Sequence, residues 1–175
     1  MTDTSGQANA PDAAPSNIDD EVRLRAATTS DDDFLLNLFA STRTDELAAL
    51  AWNPTQAEMF IKMQYRAQQQ NYEGNYPAAE NQIITLKDQP IGRILVDRGD
   101  DQFTLVDIAI LPEHRNSGIG GRLLNNLLQE ATEASKPVGL YVVNYNPARR
   151  LYERLGFAPI ADDGMYVEMK WFNLT

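Results

Sequence analysis

The stretch from Leu111 to Arg122, Leu-Pro-Glu-His-Arg-Asn-Ser-Gly-Ile-Gly-Gly-Arg, constrains this chain more than any other. An apolar run ends at its start, closely spaced glycines follow, and leucines at helical spacing begin just after it. A strand therefore passes through a glycine-rich turn into a helix. Helix N-termini present unpaired backbone N–H groups and the positive end of the helix dipole. Glycines let those N–H groups come close to a bound anion, so the segment is a candidate phosphate cradle. A nucleotide P-loop would need Gly-x-x-x-x-Gly-Lys-Ser/Thr, and no Lys-Ser/Thr pair occurs here. A dinucleotide fingerprint would need a third glycine where Leu123 stands. A tight turn at a glycine-rich helix start accounts for the glycine spacing equally well.

The remaining pattern surrounds this segment with alternating elements. Val22, Leu24 and Ala26 alternate with Arg23 and Arg25, as in a half-buried strand. Thr29 or Ser30 caps a helix whose first turn holds Asp31, Asp32 and Asp33 and whose buried stripe is Phe34, Leu35, Leu38 and Phe39. The three aspartates read as a helix start, not a metal site. Asn53-Pro54 starts a second helix, which runs to about Tyr72. Strands are predicted over 81–87, 91–98 and 103–111 as an antiparallel meander. Leu123, Leu124, Leu127, Leu128 and Ala131 form the core face of the helix after the glycines. A strand over 138–143 follows, then a helix with Asn146 as cap, Pro147 as first residue and Gly156 at its end. A last hairpin takes 157–160 and 165–171. The order β-α-α-β-β-β-α-β-α-β-β predicts a mixed α/β fold with helices on both faces of the sheet.

Residues 1–20 hold almost nothing apolar to bury and read as a disordered acidic tail, which leaves 21–175 as a single domain. The chain has no cysteine, which excludes disulfides, thiolate metal sites and a cysteine nucleophile; its one histidine, His114, excludes a multi-histidine metal site. No apolar run approaches the roughly 18–20 residues needed to cross a bilayer. No Lys or Arg precedes Arg23, so no secretory or transit peptide is expected and the cytoplasm is the default. The net charge of −10 argues against nucleic acid and anionic membranes as partners. One segment opposes that sign: residues 114–154 carry six basic and three acidic side chains.

Two motifs in order carry a family resemblance. Arg115-x-x-Gly118-x-Gly120 after an apolar strand resembles the acyl-CoA pyrophosphate loop of the GNAT superfamily of N-acetyltransferases. About thirty residues on, Asn146-Pro-Ala-Arg-Arg-Leu-Tyr152-Glu-Arg-Leu-Gly156-Phe157 is similar to that family's second signature. The resemblance covers roughly residues 21–172. It implies a mixed, mostly antiparallel sheet of about seven strands whose fourth, bulged strand splays from the fifth, with pantetheine lying in the gap. It implies acetyl-CoA as cosubstrate, an amine acceptor, and no metal. Ile108, Ala109 and Ile110 would offer backbone groups to the cofactor arm, and the amides of Arg115, Asn116, Ser117, Gly118, Ile119 and Gly120 would hold the pyrophosphate. The Arg115 guanidinium would add a charge-assisted contact. Asn146 would touch the cofactor arm unless it only caps its helix, and Arg149 and Arg150 would reach phosphate oxygens unless they face solvent.

By the same resemblance, the Ile110 N–H would polarise the thioester carbonyl. Tyr152 would be the general acid for the departing thiolate, a role open to a phenol because it stays protonated at neutral pH. The base is left open. Relatives carry a glutamate on the fourth or fifth strand, and the matching positions here are Thr104 and Tyr141. Asp107 should alternate away from Thr104; Glu73, Glu80 and water are the other candidates. The acid surplus suggests a cationic acceptor, and the tyrosines Tyr72, Tyr76, Tyr141 and Tyr145 are consistent with an amphipathic or cationic one, while surface solubility explains the acid surplus equally well. The same fold without catalysis would be an acyl-CoA-binding module, and transfer of a longer acyl group is a further alternative. Either a monomer or a homodimer paired through an edge strand is compatible with such a sheet.

Overall fold

The computed structural model describes residues 21–173, so the tail at 1–20 lies outside the described residues. Seven strands form one sheet in the order β1-β2-β3-β4-β5-β7-β6. They are β1 (Val22–Ala26), β2 (Glu80–Leu86), β3 (Gln89–Arg98), β4 (Phe103–Ile110), β5 (Val138–Val143), β6 (Ala158–Asp162) and β7 (Tyr166–Trp171). The helices are α1 (Asp32–Ser41), α2 (Thr44–Ala49), α3 (Pro54–Asn75), α4 (Ile119–Glu133) and α5 (Arg149–Arg154). All strand pairs are antiparallel except β4–β5. The predicted last hairpin is present, and its second strand, β7, is the one inserted beside β5.

Local chemistry explains most boundaries. The Asn53 side chain accepts from the Gln56 N–H and the Gln56 side chain answers to the Asn53 N–H, a capping box with Pro54 at the first helical position. The helix that follows continues to Asn75, three residues past the predicted end. The two-residue β2–β3 turn uses Lys87 and Asp88, both with positive φ (50° and 62°), as a tight hairpin of this twist demands. Helix α2 was not anticipated: it has no buried residue and no side-chain cap, so it leaves no apolar stripe in the sequence. At α5 the regular helix starts at Arg149, not Pro147, although the Asn146 Oδ1 does accept from the Ala148 N–H at 2.9 Å.

Two apolar layers flank the sheet. Leu123, Leu124, Leu127, Leu128 and Ala131 of α4 pack with Ile94, Val96, Phe103, Leu105, Leu140, Val142, Val167 and Met169 in the larger core. On the other face Leu35 and Leu38 of α1 meet Ile83, with Tyr65, Ala109 and Leu111 against them.

Candidate active site

The centre of the sheet is open. Strands β4 and β5 pair only through Phe103–Val138, Thr104–Gly139 and Leu105–Leu140. Beyond those three pairs the strands part, and Val106 through Ile110, although in the middle of the sheet, are half-exposed. The parting coincides with a bulge. On β3, Leu95 faces Asp107 and Val96 faces Leu105, which leaves Val106 as the extra residue. A bulge bends its strand, and this one bends β4 away from β5 into a wedge.

The backbone of β4 alternates along that wedge. The Leu111 N–H donates to the Ile91 carbonyl at 2.8 Å, and Gly92 stands opposite Ile110. In an antiparallel ladder the polar groups of Ala109 and Leu111 therefore turn to β3, while those of Ile108 and Ile110 turn into the wedge. Ala109 consequently does not offer its backbone to the gap, contrary to the expectation from sequence. The approach of β3 at this point is close: a Cβ on Gly92 would lie 2.4 Å from the Ala109 carbonyl oxygen.

The wedge leads to the N-terminus of α4. Asn116 and Gly118 both take left-handed conformations (φ 57° and 84°), and Gly118 is the N-cap with no side-chain cap bond. Left-handed residues in such a turn gather successive N–H groups into an anion-sized concavity. Open space surrounds Gly118, while Cβ positions on Gly120 and Gly121 would meet Ile110 and Leu151 at ordinary contact distances near 3.7 Å. The Ser117 hydroxyl donates to the His114 carbonyl at 2.6 Å, and Ile119 anchors the helix start in the core. Arg115 folds back, its Nε donating to the Ile110 carbonyl at 2.8 Å.

Helix α5 closes the other flank. Its Tyr152 is buried, packs its ring against Phe157 at 5.9 Å, and has its phenol held well above the ordinary range, by burial first and the Asp107 charge second. Arg149 donates to Glu153 at 3.0 Å and to Asn144 at 2.7 Å, whereas Arg150 lies exposed. Not every basic residue of the 114–154 segment is near this flank. Lys136 sits past the far end of α4, bonded to the Gly99 carbonyl at 2.9 Å.

The face opposite α4 carries the acidic and phenolic groups. The bulge reverses the alternation of β4, so Asp107 shares this face with Thr104, where unbroken alternation had separated them. Asp107 is ion-paired with the buried Arg93 of β3, which also reaches Gln68 and Gln69 and lies 5.7 Å from the Tyr72 ring. Burial and then the Asp107 charge push the Tyr72 phenol well up. Tyr141 stands in register with Glu168 of β7. Its phenol is raised by burial, by the Glu168 charge, by hydrogen bonding to Glu168, and by Tyr76. Tyr76 is raised by burial, then Asp97, then Glu168. Tyr145 stands apart at 88% exposure, and Tyr166, in electrostatic reach of Tyr72, takes its place in the group. Of the other carboxylates considered, Glu80 pairs with Arg98 at 3.1 Å and Glu73 is exposed on α3. Sequence reasoning missed Glu168, whose only signal is the two-residue alternation of β7. Among the described residues, no group of three or more acidic or histidine side chains is placed to hold a metal ion, and no helix is long and apolar enough to cross a membrane.

A parallel seam broken by a bulge, with a glycine-started helix beneath it, lies in a fold that known proteins share. Residues 76–159 match the acetyltransferase (GNAT) domain family. Over 70 residues the chain is 39% identical to the [ribosomal protein bS18]-alanine N-acetyltransferase of Haemophilus influenzae, a match covering 39% of this chain and 48% of that protein. The chain thus spans about half the length of that curated relative. Among solved structures, the PaiA N-acetyltransferase of Thermoplasma acidophilum in complex with coenzyme A superposes with a TM-score of 0.65 at 18% identity, over 87% of this chain and 99% of that one. PH1933 of Pyrococcus horikoshii gives 0.61 at 17% identity, over 89% and 100%. The chain is thus similar to GNAT acetyltransferases in sequence over residues 76–159, just under half of its length, and in fold over most of it.

Proposed function

We propose that this protein moves an acetyl group from acetyl-CoA to a primary amine by direct transfer in a ternary complex. The observation that carries the reading is the wedge: the polar groups of Ile108 and Ile110 open into it, and it runs to the uncapped start of α4. Acetyl-CoA supplies an activated acyl thioester. The turned-out backbone of Ile108 and Ile110 pairs with the pantetheine amides as a strand would, and the Ile110 N–H is the donor for the thioester carbonyl. The amides of Arg115 through Gly120 hold the pyrophosphate, with Arg115 released from the Ile110 carbonyl to meet it. Asn146 keeps its turn and borders the cofactor arm; Arg149 and Arg150 lie on the phosphate flank. Tyr152 is neutral and positioned on the wedge's α5 flank, so it donates a proton to the departing sulfur.

The test is thiol release on mixing with acetyl-CoA and a panel of polyamines, amino sugars and peptide amines. The chain has no cysteine, so every thiol detected is product. Thiol release that depends on an amine is expected. Tight acetyl-CoA binding without release would instead mark a non-catalytic binding module.

A further inference from the structure

Resting on the transferase reading, we propose that Glu168 of β7, paired across the sheet with Tyr141, is the residue that takes the proton from the acceptor ammonium. The placement follows from register. Leu105–Leu140 is the last pair joining β4 to β5, so Tyr141 is the first β5 residue beside the open wedge, and Glu168 stands directly opposite it on β7. Val167 and Met169 point into the larger core, so Glu168 between them lies on the α3 face together with Tyr141. Tyr141 stands in register with Glu168, with its phenol within electrostatic reach of that carboxylate, and Tyr76, at the end of α3, feels both Glu168 and Asp97.

The other carboxylates near the wedge are committed elsewhere. Asp107 neutralises a buried arginine, and Glu80 is held by Arg98. Asp97 faces Thr104, at the closed end where β4 and β5 still pair. The groups around Glu168 are Tyr141 on β5, Tyr76 beyond α3, Tyr166 and Lys170 two residues away on its own strand, and Ala161 opposite it on β6. Phenol faces beside a carboxylate suit a cationic amine, which gains both charge and ring contacts.

The proton account closes. The ammonium gives one proton to Glu168, and the freed lone pair forms the N–C bond as the C–S bond breaks. Sulfur takes the Tyr152 proton, and the phenolate recovers one from the nitrogen as the amide forms. The proton on Glu168 leaves to solvent.

The experiment measures kcat against pH for the wild type, Glu168→Gln and Glu168→Asp with the best amine of the panel, alongside direct acetyl-CoA binding. General-base assistance of this kind contributes about 10²-fold or more. Glu168→Gln is expected to lower kcat by about that factor at pH 7 and to leave acetyl-CoA binding unchanged. Its deficit should shrink as rising pH supplies free amine, and Glu168→Asp should retain part of the rate. An active wild type whose Glu168→Gln variant keeps its rate and pH profile within about twofold overturns the assignment alone. A wild type inert toward every amine overturns the transferase reading and this assignment with it.

Discussion

Arg93 and Asp107 form an ion pair across β3 and β4 in which the arginine is only 4% exposed. A cation so deeply buried needs its counter-charge, and Gln68, Gln69 and the Tyr72 ring complete its surroundings. Breaking such a pair by deleting one partner leaves an uncompensated buried charge and costs about 3–5 kcal/mol. Asp107→Ala should therefore lose stability on that scale in urea unfolding, and Asp107→Asn should lose less. A midpoint unchanged in Asp107→Ala would show that Arg93 finds another partner.

Tyr152→Phe keeps the ring against Phe157 and removes the hydroxyl proposed as the acid. The expected result is a fall in kcat of about 10²-fold with acetyl-CoA affinity nearly unchanged. Equal turnover of the variant and the wild type on a confirmed acceptor would rule out the phenol as the acid.

Two glycines separate strain from fit. Gly118 has φ 84° in open space, so Gly118→Ala faces conformational strain of about 1–2 kcal/mol and no clash. Gly92→Ala brings a Cβ to 2.4 Å from the backbone oxygen of Ala109, which cannot swing aside as a side chain would. Thermal melts should rank Gly92→Ala as the far more damaging change. Calorimetry should find acetyl-CoA binding weakened in Gly118→Ala, because that residue shapes the turn proposed to hold the pyrophosphate.

The acid sensitivity of the fold has one identifiable source at the start of α1. Asp31 accepts two hydrogen bonds from Arg25, at 2.7 and 2.8 Å, and another from the Thr28 N–H at 2.8 Å, which together hold its carboxyl far below the usual range. A depressed native pKa means that this contribution is fully present above the unfolded value near 4 and is lost as pH falls toward the native value. Asp31→Asn should be less stable than the wild type at pH 7, and the two should converge below pH 4 in chemical denaturation. A constant gap across that range would contradict the assignment.

How much of this was legible in the sequence depends on what range of interaction sets each feature. Asn53-Pro54, the leucine stripe of α4 and the alternation of β7 act within a turn or two, and their elements were read correctly. The glycine turn after Leu111 was legible because left-handed backbone favours glycine, though Asn116 shares that conformation. Alternation alone misplaced Asp107, because a bulge at Val106 is a tertiary event that leaves no mark in a run of Phe-Thr-Leu-Val-Asp-Ile. The same bulge decides which backbone groups face the gap, and so removes Ala109 from the set. Tyr145 was grouped with Tyr141 by proximity in sequence, and the turn after β5 carries it outward. Glu168 comes to Tyr141 only because the last strand inserts beside β5, a choice of pairing that hairpin logic does not reveal.

The β4–β5 junction has a mechanical consequence. Four strands on one side and three on the other share only three residue pairs of parallel ladder, so the sheet is two half-sheets stitched at one end. An unfastened edge, from Val106 to Ile110, thus lies inside the sheet. A ligand laid along it acts as a missing rung, fastening halves that the chain itself leaves apart. Occupancy at a hundred times Kd adds about 2.7 kcal/mol to any state that binds. Acetyl-CoA should act here as a structural splint, and its departure should return the seam to its loosest condition once in every turnover.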